Sequence, residues 1–461
     1  MSEKKLKSPY DYQLKEVILS IDRLGDATSD IDITSIVAQL DIHESINRPF
    51  LISNIVISDT SGLISSVNFI GTERVNVKLH LIPSANEEPV IINKNFIITE
   101  IKNTVKIGDE SDVISLEMIE DSGYRNYLEN INRPYTGSGS QIIANCISEF
   151  LDKKLNVVSD EQSNTKPFKI IVPNWHPFDV VKWVKSLMVR EFGFPYYFYS
   201  TIHSNDIIQD DLLSILERGT VNPSNAFSYS TSAANNIDDS VLKQSYTIND
   251  IKFNSTLNTL NKIREGNVGS SNQQIDLVKN SSSREILHFD VYKMFKDIKT
   301  SGGIPATQTY IPYDNQSVIN DKKLHDYDSR RISELQVSYI YDKNTPNSTD
   351  VIQINQQLMA KSIKSWMQEN KITLQVPGRN FLESSTQIPI KLADTIMVNI
   401  LDSKNNKPGK NTEAVMPEYN KKQSGEYIIQ SLRHMFVLDR YSTIVECVKL
   451  TDIENSGEKL V

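Results

Sequence analysis

Ser424 to Asp452 reads SGEYIIQSLRHMFVLDRYSTIVECVKLTD. Tyr427-Ile428-Ile429 opens a strand that Arg433-His434-Met435-Phe436 continues; Asp439-Arg440 turns the chain, and Ser442 to Leu450 returns it. Much earlier, Asn95 to Asp121 reads NFIITEIKNTVKIGDESDVISLEMIED. A slide of 331 positions, without a gap, lays one segment on the other. Phe96 falls on Tyr427, Ile98 on Ile429, Ile101 on Leu432, Val105 on Phe436, Val113 on Ile444 and Ile119 on Leu450. Identities are few, but the apolar pattern and the length agree, as two copies of one β-unit would. Chance likeness between hydrophobic hairpins is the competing reading.

A second match lies ahead of the first. Arg74 to Leu81 (RVNVKLHL) alternates, with Val75, Val77, Leu79 and Leu81 on one face and Asn76, Lys78 and His80 on the other. That is the period of a half-buried strand. Asp394 to Ile400 (DTIMVNI) pairs with Glu73 to Leu79, setting Val75 on Ile396, Val77 on Val398 and Leu79 on Ile400. Two matches in the same order favour duplication. The spacer is longer in the second copy, where the polar stretch Ser403 to Gln423 reads as a solvated loop.

Between the copies the pattern changes. Ile142, Ile143, Cys146, Ile147, Phe150 and Leu151 recur at helical steps behind a cap at Ser140. Phe168 to Val172 reads as a strand. Pro173-Asn174-Trp175-His176-Pro177 turns into a second helix carrying Phe178, Val181, Val184, Leu187 and Met188. Phe194 to Tyr199 is an aromatic strand, expected to be core rather than a ligand box. Gly219 to Ser245 looks like loop, Gln274 to Lys279 and Glu285 to Tyr292 like a hairpin, and Leu335 to Tyr341 like a strand. Thr300 to Arg331 reads as an extended arm. Ile354, Leu358, Met359, Ile363, Trp366 and Met367 share one face of the clearest helix. The expected fold is α+β, mainly β: two similar antiparallel β-barrel domains flanking a mixed α+β middle domain. The expected divisions are 1–125, 126–245 and 246–455, the last with the arm near 300–331 and a helix at 354–370, then a tail at 456–461.

A length of 461 residues fits roughly three domains. The net charge of −9 argues against stable nucleic-acid binding, which needs basic surface to neutralise phosphates. An acidic wall instead keeps passing DNA from adhering. Cys146 and Cys447 sit in apolar-periodic segments and read as buried hydrophobes rather than a disulfide or metal pair. No signal h-region opens the chain, and no apolar run approaches the ~20 residues of a membrane span. A reducing cytoplasm is therefore the expected place of folding.

Catalytic signatures do not stand out. There is no GxGxxG or P-loop, no HExxH and no GxSxG elbow. The seven histidines never fall at metal spacing. His80, His434 and Cys447 read as strand-face residues. The acid pairs Asp210-Asp211 and Asp238-Asp239 read as solvated surface or helix N-termini. No catalytic residue, cofactor site or metal site is expected, and the chain does not read as an enzyme.

The closing order of parts has a familiar look. The helix NQQLMAKSIKSWMQEN, the strand ITLQVPGRNFL, then DTIMVNI and SGEYIIQSLRHMFVLDRYSTIVECVKL resemble the end of the central baseplate hub proteins of T-even-like contractile-tailed phages. The hub-like N-terminal part of type VI secretion spike proteins is similar. NRPYTGSGSQIIANCISEFL and IIVPNWHPFDVVKWVKSLMVREFGFPYYFY resemble that family's middle domain. The arm at 300–331 and the loop at 403–423 depart from the family plan.

The resemblance implies a homotrimer whose two barrels per subunit make a pseudo-sixfold ring. Such a structural hub of the virion tail baseplate, assembled in the host cytoplasm, joins a sixfold tail tube to a threefold central spike. Its implied partners are the spike, tail tube or tube-initiator proteins, and the tape-measure protein, with DNA only in transit. A tailocin or type VI-like hub is the alternative within the same machinery. A peptidoglycan-cleaving baseplate enzyme or a carbohydrate-binding tail module is the alternative of another class. The aromatic run at Tyr196 to Tyr199 is what encourages the last.

Overall fold

The computed structural model describes residues 10, 12–22, 29–60, 62, 67, 69–81, 90–107, 111–159, 167–188, 190, 193–229, 244–254, 259–266, 269–276, 281–288, 310–311, 318–323, 326–327, 331–335, 348–368, 371–382, 388–401, 419–420, 423–438, 440–449 and 452–453. Most of the arm at 300–331 and of the loop at 403–423 lies outside these residues. So do 336–341 of the expected strand, Asp238-Asp239, Leu450 and the tail at 456–461.

The chain is mainly β, with an α+β middle. The first β-unit holds β1 (Gln13–Ile21), β2 (Ser29–Asp32), β3 (Val37–Ser45), β4 (Ile52–Asp59), β5 (Arg74–Leu81), β6 (Val90–Ile107) and β7 (Ser111–Glu120). Val17, Leu40, Ile55, Val77, Phe96 and Leu116 are among its buried core side chains. They follow the period-two alternation that puts every second residue on one face.

The middle region holds α1 (Asp121–Leu128), β8 (Pro134–Gly137), α2 (Gly139–Phe150), β9 (Leu155–Val157), β10 (Phe168–Ile171), α3 (Pro177–Leu187), β11 (Tyr196–Tyr199), β12 (Ile207–Asp211) and α4 (Leu212–Arg218). Three details differ from the sequence reading. Asp121 opens a helix instead of closing the hairpin. The cap of α2 is Ser138, whose side chain accepts from the Gln141 amide while Gln141 answers the Ser138 amide. That reciprocal pair is a capping box, and it sets the cap two residues ahead of Ser140. β12 and α4 carried too short a periodic signal to be read.

The second β-unit holds β13 (Phe227–Tyr229) and β14 (Asp250–Phe253). After α5 (Thr259–Glu265) come β15 (Gly269–Asp276) and β16 (Ser281–His288), an antiparallel pair that starts earlier than expected. β17 (Tyr310–Ile311), β18 (Val318–Ile319), β19 (Lys322–Lys323) and β20 (Arg331–Leu335) follow. α6 (Ser348–Met367) leads into β21 (Lys371–Pro377), β22 (Thr395–Ile400), β23 (Gly425–Val437), β24 (Arg440–Val448) and β25 (Asp452–Ile453). β13 falls inside the stretch 219–245 that reads as loop; it joins β22 in parallel.

The ladders carry the duplication in detail. Val75 pairs with Phe96 and Val77 with Lys94; Ile396 pairs with Tyr427 and Val398 with Gly425. Those are the equivalences the sequence match set up. The register shift lies between Ile98 and Glu100 in β6 and between Ile429 and Ser431 in β23, the same place in both copies. The Ile98 amide donates to the Glu73 carbonyl at 3.0 Å, and the Ile429 amide to the Asp394 carbonyl at 2.9 Å. Each of those acids also accepts amides of the turn before its strand: Ile70 and Gly71 for Glu73, Lys391 for Asp394. On the return strands the gap-free slide is two residues out. Ile98 faces Met118, but Ile429 faces Cys447. A two-residue offset keeps every side chain on its face, so the apolar pattern hid it.

The two units belong to one 13-stranded sheet with the path β14-β21-β24-β23-β3-β4-β7-β6-β5-β1-β2, to which β22, on β23, and β13, on β22, add the remaining two strands. The link is antiparallel pairing of β23 with β3, from Ser431 against Ser45 to Val437 against Gln39. β11 lies between two cores. Tyr196 and Phe198 pack into the middle core; Tyr197 and Tyr199 face the core of the second unit.

Candidate functional site

The joint between β3 and β23 is where residues nearly 400 positions apart meet. Arg433 Nη2 donates to Asp41 Oδ2 at 2.7 Å across it. The Ser431 hydroxyl donates to the Glu44 carbonyl at 3.0 Å. Phe436 stacks on Tyr441 at 4.5 Å between ring centroids, and Tyr12 packs on Phe436 at 5.1 Å. The Gly378 backbone lies against the Tyr441 ring, and a Cβ there would come within 2.3 Å of it.

Behind the ladder lies a buried polar chain. Glu44 Oε1 accepts the Ile202 amide at 2.6 Å and faces His434 Nε2 at 3.5 Å. At that distance the second contact is electrostatic rather than a well-formed hydrogen bond. His434 Nδ1 lies 2.8 Å from the Tyr441 hydroxyl. Burial opposes ionisation of Glu44, but His434, then His203 and the Ile202 amide, outweigh it and hold the carboxyl below its ordinary value. Burial pushes His203 down to about 4, and its Nε2 lies 2.8 Å from the Phe381 carbonyl. Burial, then the Arg433 charge, pushes His43 down to about 4 as well. Glu44 and His434 are 1% exposed and Tyr441 0%, so the chain is closed to any substrate and acts as a fastener.

A second fastener ties the first unit to the middle region. Lys94 Nζ donates to the Ser204 carbonyl at 2.5 Å, and Lys153 Nζ to Glu120 Oε1 at 2.6 Å and the Asn205 carbonyl at 2.8 Å. Glu120 also accepts the Leu51 amide at 3.0 Å. Desolvation lowers Lys94 to about 8. A polar cleft of about 560 Å³ opens beside these groups, flanked by Arg74, Arg125 and Asp206.

The sequence-flagged residues fall as follows. Asp210 and Asp211 are fully buried, which corrects the solvated-surface half of the reading, while Asp211 stands at a helix N-terminus as its other half has it. Asp210 takes both Arg218 guanidinium nitrogens, at 2.7 and 3.1 Å, and Asp211 caps α4 through the Ser214 amide. Desolvation raises Asp210, and it raises neighbouring Asp394 to about 6. Tyr196 to Tyr199 are all at most 4% exposed, so they offer no stacking platform for a sugar. Cys146 and Cys447 are buried thiols. Among the described residues no group of three His, Cys, Asp or Glu side chains is placed to hold a metal, and no helix is long and apolar enough to cross a membrane. Sequence reasoning missed Glu44 and Asp41; their only signal was two acids set within a strand that also carries Val37, Leu40 and Ile42.

No protein-family model matches the sequence, and no curated protein matches it. Several solved structures are similar to it over most of its length. A tail protein of Neisseria meningitidis MC58 is 10% identical, with 95% of this chain and 97% of that one covered, at a TM-score of 0.45. The 43 kDa tail protein of prophage MuSo2 from Shewanella oneidensis is 11% identical over 94% and 98%, at 0.47. The E. coli c3393 protein, a component of the type VI secretion system, is 9% identical over 91% and 76%, at 0.38.

Proposed function

We propose that this chain is a structural hub of a contractile tail baseplate. In this reading three copies form a ring of six β-units that joins a sixfold tail tube to a threefold central spike. The observation that carries it is the repetition of one ladder, with its register shift and its acid-capped strand entry, in two units fused edge to edge. A subunit with two near-equivalent units lets a trimer present six similar faces on one side and three on the other, since symmetry fixes which surfaces can meet. The buried fasteners give the two units a fixed mutual orientation, which a ring needs.

The role is scaffolding rather than chemistry. The ring holds the spike below and the tube above, and its opening passes DNA and the tape-measure protein. The net charge of −9 suits a channel to which DNA does not adhere. Mass measurement in solution tests the reading, alone and with the spike protein of the same particle. A trimer that takes up one trimeric spike is the expected result; a persistent monomer that ignores the spike overturns it. Clearing on a peptidoglycan zymogram would overturn the non-enzymatic part.

A further inference from the structure

The two copies of the hairpin differ at one edge. In β23 the stretch Ser431 to Val437 is covered by β3. In β6 the matching stretch pairs with β7 on one side, and among the described residues no strand lies on the other. Every residue from Thr99 to Lys106 is exposed there, including Ile101 at 45% and Val105 at 55%. Leu432, which holds the place of Ile101 in the ladder, is 1% exposed, and Met435, which holds that of Val105, is half-buried. A second edge ends the sheet path at β14, which among the described residues pairs only with β21 and carries Phe253 at 43% exposure.

β14 stands where β3 stands in the first unit. Leu40 pairs with Ile55, and Ile55 with Leu116; Ile251 pairs with Leu374, and Leu374 with Val445. Leu116 and Val445 in turn face Ile101 and Leu432, the residues the duplication superimposes. Ile251 is thus the second unit's Leu40. The intrachain joint uses the β3 edge of the first unit and the β23 edge of the second. The complementary halves, β14 of the second unit and the bare end of β6 in the first, are left over on the same chain.

We infer that β14 of one copy adds to the edge of β6 of the next copy, repeating between chains the joint that β3 and β23 make within one. This rests on the hub reading and names its subunit contact. Within the chain Leu40 pairs with Phe436, Asp41 with Met435 and Ile42 with His434. Following the ladders past the second register shift of β6, the same geometry sets Ile251 against Lys106, Lys252 against Val105 and Phe253 against Thr104. The Asp41–Arg433 ion pair is not repeated, because Lys252 and Asn103 occupy those places. The contact is head to tail, and such contacts close into rings when the rotation per step divides the circle. Two steps per chain close six units in three chains.

Lysines at a strand edge commonly guard it against pairing. Here Lys102 is drawn to Glu117 on the adjoining strand, and the exposed Ile101 and Val105 gain from being covered. Long bare edges with apolar side chains are otherwise a liability that proteins bury or blunt.

The test is a full-length chain carrying both V105C and K252C, oxidised and run without reductant. Cross-linked species ending at three chains are expected, and none from either single variant; native Cys146 and Cys447 are buried and stay out of the reaction. Alongside it, I101K/V105K is expected to weaken self-association at least ~10-fold while its monomer melts as the wild type does, since both residues are exposed. A wild-type trimer that neither cross-links nor responds to I101K/V105K overturns the edge pairing and leaves the hub reading standing. A wild-type monomer, even with spike present, overturns both.

Discussion

The two β-units share a ladder and differ in what covers it. In the second unit the outgoing strand of the hairpin is buried by β3, by Tyr12 and by a polar chain running through Glu44, His434 and Tyr441. In the first unit the matching end of β6 meets solvent from Thr99 to Lys106. The sequences record the difference chemically. Phe436 stands where the slide puts Val105, and His434 where it puts Asn103. A repeated fold thus does not imply a repeated environment; position in the sheet decides which copy becomes core.

The sharpest way to break this contrast is truncation at the covered end. Phe436→Ala should cost about 3–5 kcal/mol, as deletion of a fully buried aromatic does, measured by urea denaturation. Gly378→Ala comes next. Its methyl would collide with the buried Tyr441 ring, and overpacking of that kind costs about 1–3 kcal/mol. Arg433→Ala strands the Asp41 carboxylate, whose side chain is 4% exposed. The loss should be ~1–2 kcal/mol, less than for a fully buried pair because Arg433 itself is 38% exposed.

A smaller, pH-dependent effect belongs to the same joint. His43 and His203 are held neutral down to about 4. The unfolded chain takes up those protons near pH 6.5, so it binds more protons than the folded chain between about 6.5 and 4. Stability is therefore full above that window and falls as pH drops through it. The melting temperature should fall by several degrees from pH 7.5 to pH 5, and H43Q/H203Q should flatten the slope. An unchanged slope would show that the joint does not govern acid sensitivity. At the bare end of the first unit, Ile101→Ala should change monomer stability by no more than ~0.5 kcal/mol, in contrast to Leu432→Ala at about 2–5 kcal/mol.

Much of the fold was legible because its signals are local. The alternation of Arg74 to Leu81, the aromatic strand, α2, α3 and α6, and the closing hairpin are period-two or helical patterns that burial enforces residue by residue. Short elements such as β12, α4 and β13 were not, because three to seven residues hold too few periods to rise above chance. Asp211 caps α4, as one of the two readings of the acid pair expected, but the surface reading failed for a related reason. Asp210 looks like surface until Arg218, eight residues on, supplies both nitrogens.

By itself the sequence determined the mainly β class, the order of the elements and the existence of two copies of one strand ladder. Only the tertiary structure decided that the copies are fused along β3 and β23, that Glu44 and Asp41 lie inside that seam, and that among the described residues one edge of β6 and one of β14 have no strand beside them. The reason lies in what makes a sheet edge. The hydrogen bonds that join two strands come from backbone groups nearly the same at every residue, so the choice of neighbour leaves little trace in side-chain pattern. Side chains record which face is buried; which strand lies alongside is settled when the whole chain packs.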